Sequence, residues 1–129
     1  MQFARLFLTA GAGSAGIAVV LGAFAAHGLK ARLDAASLSA FQTGVTYQFF
    51  HSLALCVLAL WVRQLGRDVP VGDSAAIAGM AFLVGIVFFS GSLYSLSLGG
   101  PRWLGPITPL GGLAFIVGWL SFAWSAWRN

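Results

Sequence analysis

Charged residues divide the chain into long uncharged stretches. Four of these stretches contain no Lys, Arg, Asp or Glu: residues 6–29, 35–62, 74–101 and 103–127. A hydrocarbon core of about 30 Å is crossed by roughly 20 apolar residues at about 1.5 Å rise per residue, and each stretch exceeds that length. The pattern therefore predicts an all-α integral membrane bundle of four transmembrane helices. We expect a single domain over residues 1–129, with spans near 3–26, 41–62, 75–98 and 109–127.

The predicted connections carry helix-start residues. Residues 29–40 are too polar at their beginning to cross a bilayer, so a short interfacial segment is expected between helices 1 and 2. Asp34 is placed to cap the helix that starts there. Either Asp73 or Ser74 is placed to cap the third span, and Thr108 to cap the fourth.

Composition agrees with a membrane protein. The chain is 59% hydrophobic and 8% charged, whereas an ordinary soluble domain is about 25% charged. The expected main partner is therefore the lipid bilayer, and the expected location is a cell membrane, crossed several times; in a Gram-negative source this is the inner membrane. The basic residues are scattered singly at span ends, which argues against nucleic acid as a partner.

Orientation depends on a small difference in basic residues. Four spans place both termini on one side of the membrane, called here the terminal side. That side collects four basic residues, and the opposite side three: Arg5, Arg63, Arg67 and Arg128 against Lys30, Arg32 and Arg102. The excess favours cytoplasmic termini. An alternative is that the first stretch is a cleaved secretory signal, although its length and its small residues favour a permanent span.

Small residues recur at helical spacing in the first and last spans. In lipid, such residues let helix backbones approach closely, and this packing drives helix association. The candidate helix-packing residues are Ser14, Ala18, Gly22, Gly111, Ala114 and Gly118.

Uncharged polar residues gather in the half of the bundle away from the termini. The candidate intramembrane polar cluster consists of His27, Gln42, Tyr47, Gln48, His51, Ser90, Ser92 and Tyr94. One interpretation is a polar half-cavity that opens toward the opposite side, with His51 at its floor. The other, which we favour, is that these groups form hydrogen bonds between helices, because His51 has no carboxylate partner within a span.

Ionisable groups are too few for recognisable catalysis. The chain has no glutamate, and its three aspartates lie in the connections: Asp34, Asp68 and Asp73. Metal sites usually need three or four ligands, and His27, His51 and Cys56 are dispersed along the spans. We therefore expect no catalytic residues, no metal and no cofactor, and the protein is not expected to be an enzyme.

Four segments together resemble a known family: residues 22–30 (GAFAAHGLK), 41–55 (FQTGVTYQFFHSLAL), 89–94 (FSGSLY) and 105–112 (GPITPLGG), the last followed by Gly118 and Trp119. This pattern resembles the bacterial membrane proteins grouped as domain of unknown function 423, and vertebrate transmembrane protein 256 is similar. The resemblance covers nearly the whole chain. It implies a small multi-span membrane protein and carries no reaction, substrate or site residues with it.

Two functions remain open at the level of sequence. The first is a non-catalytic helix-packing protein that forms a homo-oligomer or belongs to a complex with another membrane protein. The alternative is a small-solute or ion channel or transporter that uses the polar half-cavity around His51. Four helices barely enclose such a path, so the alternative requires an oligomer.

Overall fold

The computed structural model describes residues 2–129, and all regular elements in that range are helices, without a strand. Its α-helices are α1 (Gln2–Phe24), α2 (Ala35–Gln64), α3 (Ser74–Gly85), α4 (Gly91–Ser97) and α5 (Ile107–Arg128). Two π-helical turns, Ala25–Leu29 and Ile86–Ser90, extend α1 and join α3 to α4, and a 3-10 turn, Arg102–Leu104, precedes α5.

These elements combine into four spans, each long and apolar enough to cross a membrane: Gln2–Leu29, Ala35–Gln64, Ser74–Ser97 and Arg102–Arg128. They are called here the first to fourth spans. The predicted all-α class with four membrane-crossing helices is confirmed. The first span continues to Leu29 through its π turn, and α2 runs without a break from Ala35, so the expected interfacial segment forms the beginning of the same helix as the second span.

Aspartates begin two of the spans. The Asp34 carboxylate accepts a 2.7 Å hydrogen bond from the Ser37 backbone N–H. This bond to the charged form lowers the pKa of Asp34 below its ordinary value. Asp73, rather than Ser74, caps the third span and accepts a 2.9 Å bond from the Ala75 backbone N–H. Both caps satisfy N–H groups that the first helical turn leaves without a partner.

The fourth span begins differently from the prediction. Helix α5 starts at Ile107, directly after Pro106, without a side-chain cap. Thr108 therefore lies inside the first turn, and the prediction that it caps this helix is wrong. Its hydroxyl instead lies 2.5 Å from the Ser92 hydroxyl on the third span. A contact between spans has taken the place of a local one.

The spans pack in the order of the sequence. The first lies against the second, the second against the third, and the third against the fourth. The second and third spans are the more enclosed. In the most apolar 18-residue segment of each span, 44% of the second span and 39% of the third are buried within the bundle, against 17% for the first and the fourth. The outer spans therefore offer most of their surface to lipid.

The apolar core lies in the half of the bundle nearest the termini. Its largest fully buried members come from the first three spans: Phe7, Leu55, Leu58, Val62 and Phe82. A smaller cluster of Ala25, Leu29 and Phe41 closes the opposite end. Along α2, the buried polar residues Gln48, His51 and Ser52 lie between the residues of these two clusters.

Candidate functional site

Gln48 joins three spans through its side-chain amide. Its Oε1 accepts a 2.6 Å hydrogen bond from the Tyr94 hydroxyl on the third span. Its Nε2 donates to the Ser14 backbone carbonyl oxygen at 3.0 Å and lies 3.2 Å from the Ser14 hydroxyl, both on the first span. Gln48 is only 5% exposed. Its amide is thus used on both its donor and its acceptor side.

Ser52 extends this contact by one helical turn. Its Oγ lies 2.6 Å from the Gln48 backbone carbonyl oxygen and 2.8 Å from the Ser14 hydroxyl. A hydroxyl has one hydrogen and can also accept. Ser52 donating to the carbonyl of Gln48 therefore leaves its oxygen free to accept from Ser14. Gln48, Ser14, Ser52 and Tyr94 are called here the glutamine group.

Two further hydroxyl contacts hold the third span to its neighbours. The buried Ser90 hydroxyl donates to the Gly44 backbone carbonyl oxygen on the second span at 2.7 Å. Ser92 contacts Thr108 on the fourth span, as described above. Ser90 is the last residue of the π turn Ile86–Ser90. Hydrogen bonds in a π turn span five residues instead of the four of an α-helix, and the additional residue changes the face that the following residues present.

His51 forms a second polar group on the side of α2 that faces the fourth span. Its Nδ1 lies 2.7 Å from the Tyr47 backbone carbonyl oxygen, which can only accept a hydrogen bond. Its Nε2 lies 3.0 Å from the Trp119 indole Nε1, which can only donate. The proton of the imidazole is therefore on Nδ1, and the ring is neutral. His51, Tyr47 and Trp119 are called here the histidine group.

Aromatic rings enclose the imidazole. The Phe115 ring stacks on it with centroids 3.6 Å apart and planes 12° apart, and the Phe82 centroid lies 5.7 Å away. A charged imidazolium in this setting would carry a hydrogen on Nε2 that points at the indole N–H, so the two donors would oppose each other. The geometry accommodates the neutral form.

This tautomer is testable. In lipid, the ¹⁵N spectrum of the His51 ring is expected to show a protonated Nδ1 and an unprotonated Nε2. Trp119→Phe keeps an aromatic ring but removes the donor, so the Nε2 signal should move toward that of a nitrogen without a hydrogen bond. Trp124→Phe, at an exposed tryptophan of the same helix, should leave the signal in place. A wild-type ring with hydrogen on Nε2 would contradict the assignment.

A groove between the second and fourth spans borders the histidine group. It has a volume of about 570 Å³, and its lining includes Tyr47, His51, Phe115 and Trp119. Most of the lining is apolar, and the groove opens on the outer surface of the bundle. Tyr47 is 41% exposed there. The polar atoms of His51 are directed at protein partners, and the groove offers mainly ring faces and methylenes.

The structure divides the predicted polar cluster. Six of its members lie in or beside the two groups or tie neighbouring spans together: Tyr47, Gln48, His51, Ser90, Ser92 and Tyr94. Gln42 and His27 lie apart from them, because both are exposed and neither side chain forms a hydrogen bond within residues 2–129. Among the described residues, no three His, Cys, Asp or Glu side chains come together as a metal site would require.

The predicted helix-packing residues face neighbouring spans of the same chain. Ser14 contacts Gln48, Ala18 is buried, and a Cβ on Gly22 would lie 3.3 Å from Val45. In the fourth span, Ala114 is half-buried, while Gly111 and Gly118 lie against Phe89 and Phe82 of the third span. The two small-residue faces are thus used within the bundle.

Three residues of the site were not among the predicted site residues: Ser52, Phe115 and Trp119. The position of Trp119 carries a signal, because it lies in the middle of its span, whereas Trp103, Trp124 and Trp127 lie near span ends. An indole N–H in the middle of a bilayer needs a protein acceptor. Ser52 lies one helical turn from Gln48 and could have been grouped with it. Nothing in the sequence distinguishes Phe115 from the other phenylalanines.

Comparison with known proteins agrees with this architecture. The model of the family described as protein of unknown function, DUF423, matches residues 21–112. The chain belongs to this family. The match spans most of the chain and confirms the resemblance seen in the four sequence segments. It includes Gln48, His51 and Tyr94 but ends before Trp119.

Relatives in several bacteria are similar over almost their whole length. The chain is 45% identical over 116 residues to the UPF0382 membrane protein YwdK of Bacillus subtilis, which covers 90% of this chain and 91% of that protein. It is 41% identical over 123 residues to a UPF0382 membrane protein of Haemophilus influenzae, covering 95% and 94%. For the UPF0382 inner membrane protein YgdD of Escherichia coli, identity is 39% over 115 residues, covering 89% and 84%. No solved structure gives a significant match.

Proposed function

We propose that this member of the DUF423 family is a non-catalytic membrane protein that acts as a compact helical unit. In this proposal it associates with a transmembrane helix of a second copy or of another membrane protein. The observation that carries the proposal is a set of hydrogen bonds that joins all four spans, made by the side chains of Gln48, Ser90, Ser92 and His51. Groups paired in this way hold helices together and are not presented to a substrate.

The chemistry of the interior supports a structural role. Both nitrogens of His51 and both ends of the Gln48 amide are engaged by protein groups. A proton path or a catalytic site would need an ionisable group with access to water or to a reacting atom. The relatives' names give a membrane location, and that of the Escherichia coli relative the inner membrane. We propose the same membrane here for a Gram-negative source, with cytoplasmic termini.

The outer face of the first span supports association. Gly13 and Gly16 are exposed, and a Cβ on either would meet no atom within 4 Å. Ala12, four residues before Gly16, is also exposed. Glycine costs a helix interior about 1 kcal/mol relative to alanine, and in membranes small residues allow close helix contact. The first span therefore has a small-residue surface that its own bundle does not use.

The association is tested by adding bulk to this face. Gly16→Leu places a large side chain where a neighbouring helix would approach, and overpacking of this kind costs about 1–3 kcal/mol. We expect the crosslinked fraction in native membranes to fall about fivefold or more. Ala123→Leu adds a similar side chain to an exposed position of the fourth span and should leave the fraction unchanged.

Two differently tagged copies separate the possible partners. Co-purification of both tags indicates self-association, whereas a crosslinked species containing only one tag indicates a different membrane protein. Detection of the wild-type chain solely as a monomer, by crosslinking and by blue-native electrophoresis of native membranes, would remove the support for the proposed function.

A further inference from the structure

Two arginines from different spans line one pocket at the end of the bundle where the termini lie. The pocket has a volume of about 280 Å³. Four of its lining residues come from α1 and one from α2: Ala4, Arg5, Leu8, Thr9 and Arg63. Both arginines are exposed. The pocket therefore brings two guanidinium groups and a hydroxyl together above a small apolar floor.

The arginines of this end of the bundle differ in their partners. The Arg67 guanidinium lies 3.3 Å from the Asp73 carboxylate. Arg128 lies over the Trp124 ring, 6.0 Å from its centroid. Within residues 2–129, no carboxylate pairs with Arg5 or Arg63. Two like charges that share one pocket, with no carboxylate of the described residues in ion-pair contact with either, form a favourable place for an anion.

The depth of the pocket matches the phosphate level of a bilayer. The first and second spans contain 28 and 30 residues, so they are about 42–45 Å long, compared with about 30 Å of hydrocarbon. About four residues at each end therefore extend into the headgroup region. Arg5 and Arg63 lie within or at the edge of those end segments. Leu8 lies about one helical turn deeper than Arg5, at the start of the hydrocarbon.

We propose that this pocket binds the phosphate of an anionic phospholipid. Arg5 and Arg63 hold the phosphate oxygens from two sides through charged hydrogen bonds, and the Thr9 hydroxyl provides a further donor. Ala4 and Leu8 contact the first carbons of the acyl chains. A soluble phosphate ester carries the same anionic group but lacks the chains that contact this apolar floor. The depth of the pocket and its floor both favour the lipid.

The test uses the full chain purified in detergent and incubated with phosphatidylglycerol or phosphatidylcholine, with bound lipid counted by native mass spectrometry. The wild type is expected to retain phosphatidylglycerol in preference to phosphatidylcholine. Near an anionic surface each basic residue contributes about a fivefold increase in binding. Arg5→Gln and Arg63→Gln alone should each weaken retention about fivefold, and the double variant about 25-fold.

A matched double variant controls for charge. Arg32→Gln with Arg102→Gln removes the same charge from exposed positions at the opposite end and should retain phosphatidylglycerol as the wild type does. Equal retention by the pocket double variant and the wild type would overturn the proposal, as would equal losses in the two double variants. Circular dichroism checks that each variant is helical.

A competition experiment distinguishes binding of a lipid from binding of a soluble phosphate compound. Inorganic phosphate or glycerol 3-phosphate is added to the lipid-loaded wild type at millimolar concentration. Persistence of the bound phosphatidylglycerol is expected. Its replacement by the soluble phosphate would overturn the assignment to lipid.

Discussion

Replacing Gly111 with alanine is expected to destabilise the contact between the third and fourth spans by about 2–3 kcal/mol. A Cβ at this position would lie 2.7 Å from the Cα of Phe89 and closer still to the Phe89 backbone nitrogen. These are backbone atoms of the π turn, so rotation of a side chain cannot relieve the clash. The spans must move apart. That movement would also disturb the Ser92–Thr108 contact one turn away.

The neighbouring residue is a matched control. A Cβ on Gly112 would meet only the Phe89 ring at 3.8 Å, an ordinary contact distance. Gly112→Ala should therefore be neutral, or stabilising by up to about 1 kcal/mol through its better helix propensity. Reversible unfolding in mixed micelles with increasing sodium dodecyl sulfate, followed by circular dichroism, measures both variants. Equal stability of the two alanine variants would contradict the close approach of these spans.

Gln48→Leu is expected to produce the second large loss, about 2 kcal/mol, although leucine is more hydrophobic. The substitution removes the bonds to Tyr94 and to Ser14 and leaves their polar atoms without this partner. Hydrogen bonds between helices in a membrane average about 0.6 kcal/mol and reach about 1.7 kcal/mol. A buried group left unpaired costs about 1–3 kcal/mol more. Because Gln48 joins three spans, the loss affects the arrangement of the bundle as a whole.

Gln42→Leu is the control for this change. Gln42 lies on the same helix but is exposed, and its side chain forms no hydrogen bond in the described part of the chain. The same unfolding assay should show a change within about 0.5 kcal/mol. If Gln48→Leu proved as stable as wild type, the glutamine group would contribute little to holding the spans together. A larger loss at Gln42 than at Gln48 would contradict the placement of the polar groups.

The two ends of the bundle are held together by different means. Near the termini, large apolar side chains such as Phe7 and Phe82 fill the centre. Farther from the termini, hydrogen bonds of Gln48 and His51 connect the spans instead. Dispersion between apolar side chains does not distinguish one helix rotation strongly from another in lipid, whereas paired donors and acceptors do. The hydrogen bonds of Gln48 and His51 therefore favour one particular arrangement of the helices, and the apolar side chains near the termini provide close packing.

The caps show how far local sequence information reaches. The sequence pointed to Asp34 and Asp73 as possible caps, and both act as such, because capping depends on a side chain and an N–H two or three residues away. Thr108 has the same local signal but a different outcome. Pro106 precedes the helix, and the Thr108 hydroxyl is within reach of Ser92 on another span. A contact sixteen residues distant overrides the local preference.

The sequence by itself determined the number of membrane-crossing helices and the depth of the polar residues, because both follow from where charged and polar side chains fall along each apolar stretch. Only the tertiary structure decided which groups meet. It paired Gln48 with Tyr94 and His51 with Trp119, and left Gln42 outside. Such pairings depend on the rotation and spacing of neighbouring helices. The π turn Ile86–Ser90 affects the rotation of the third span, and close approaches such as that at Gly111 affect the spacing between spans. Both features involve the packing of one span against another.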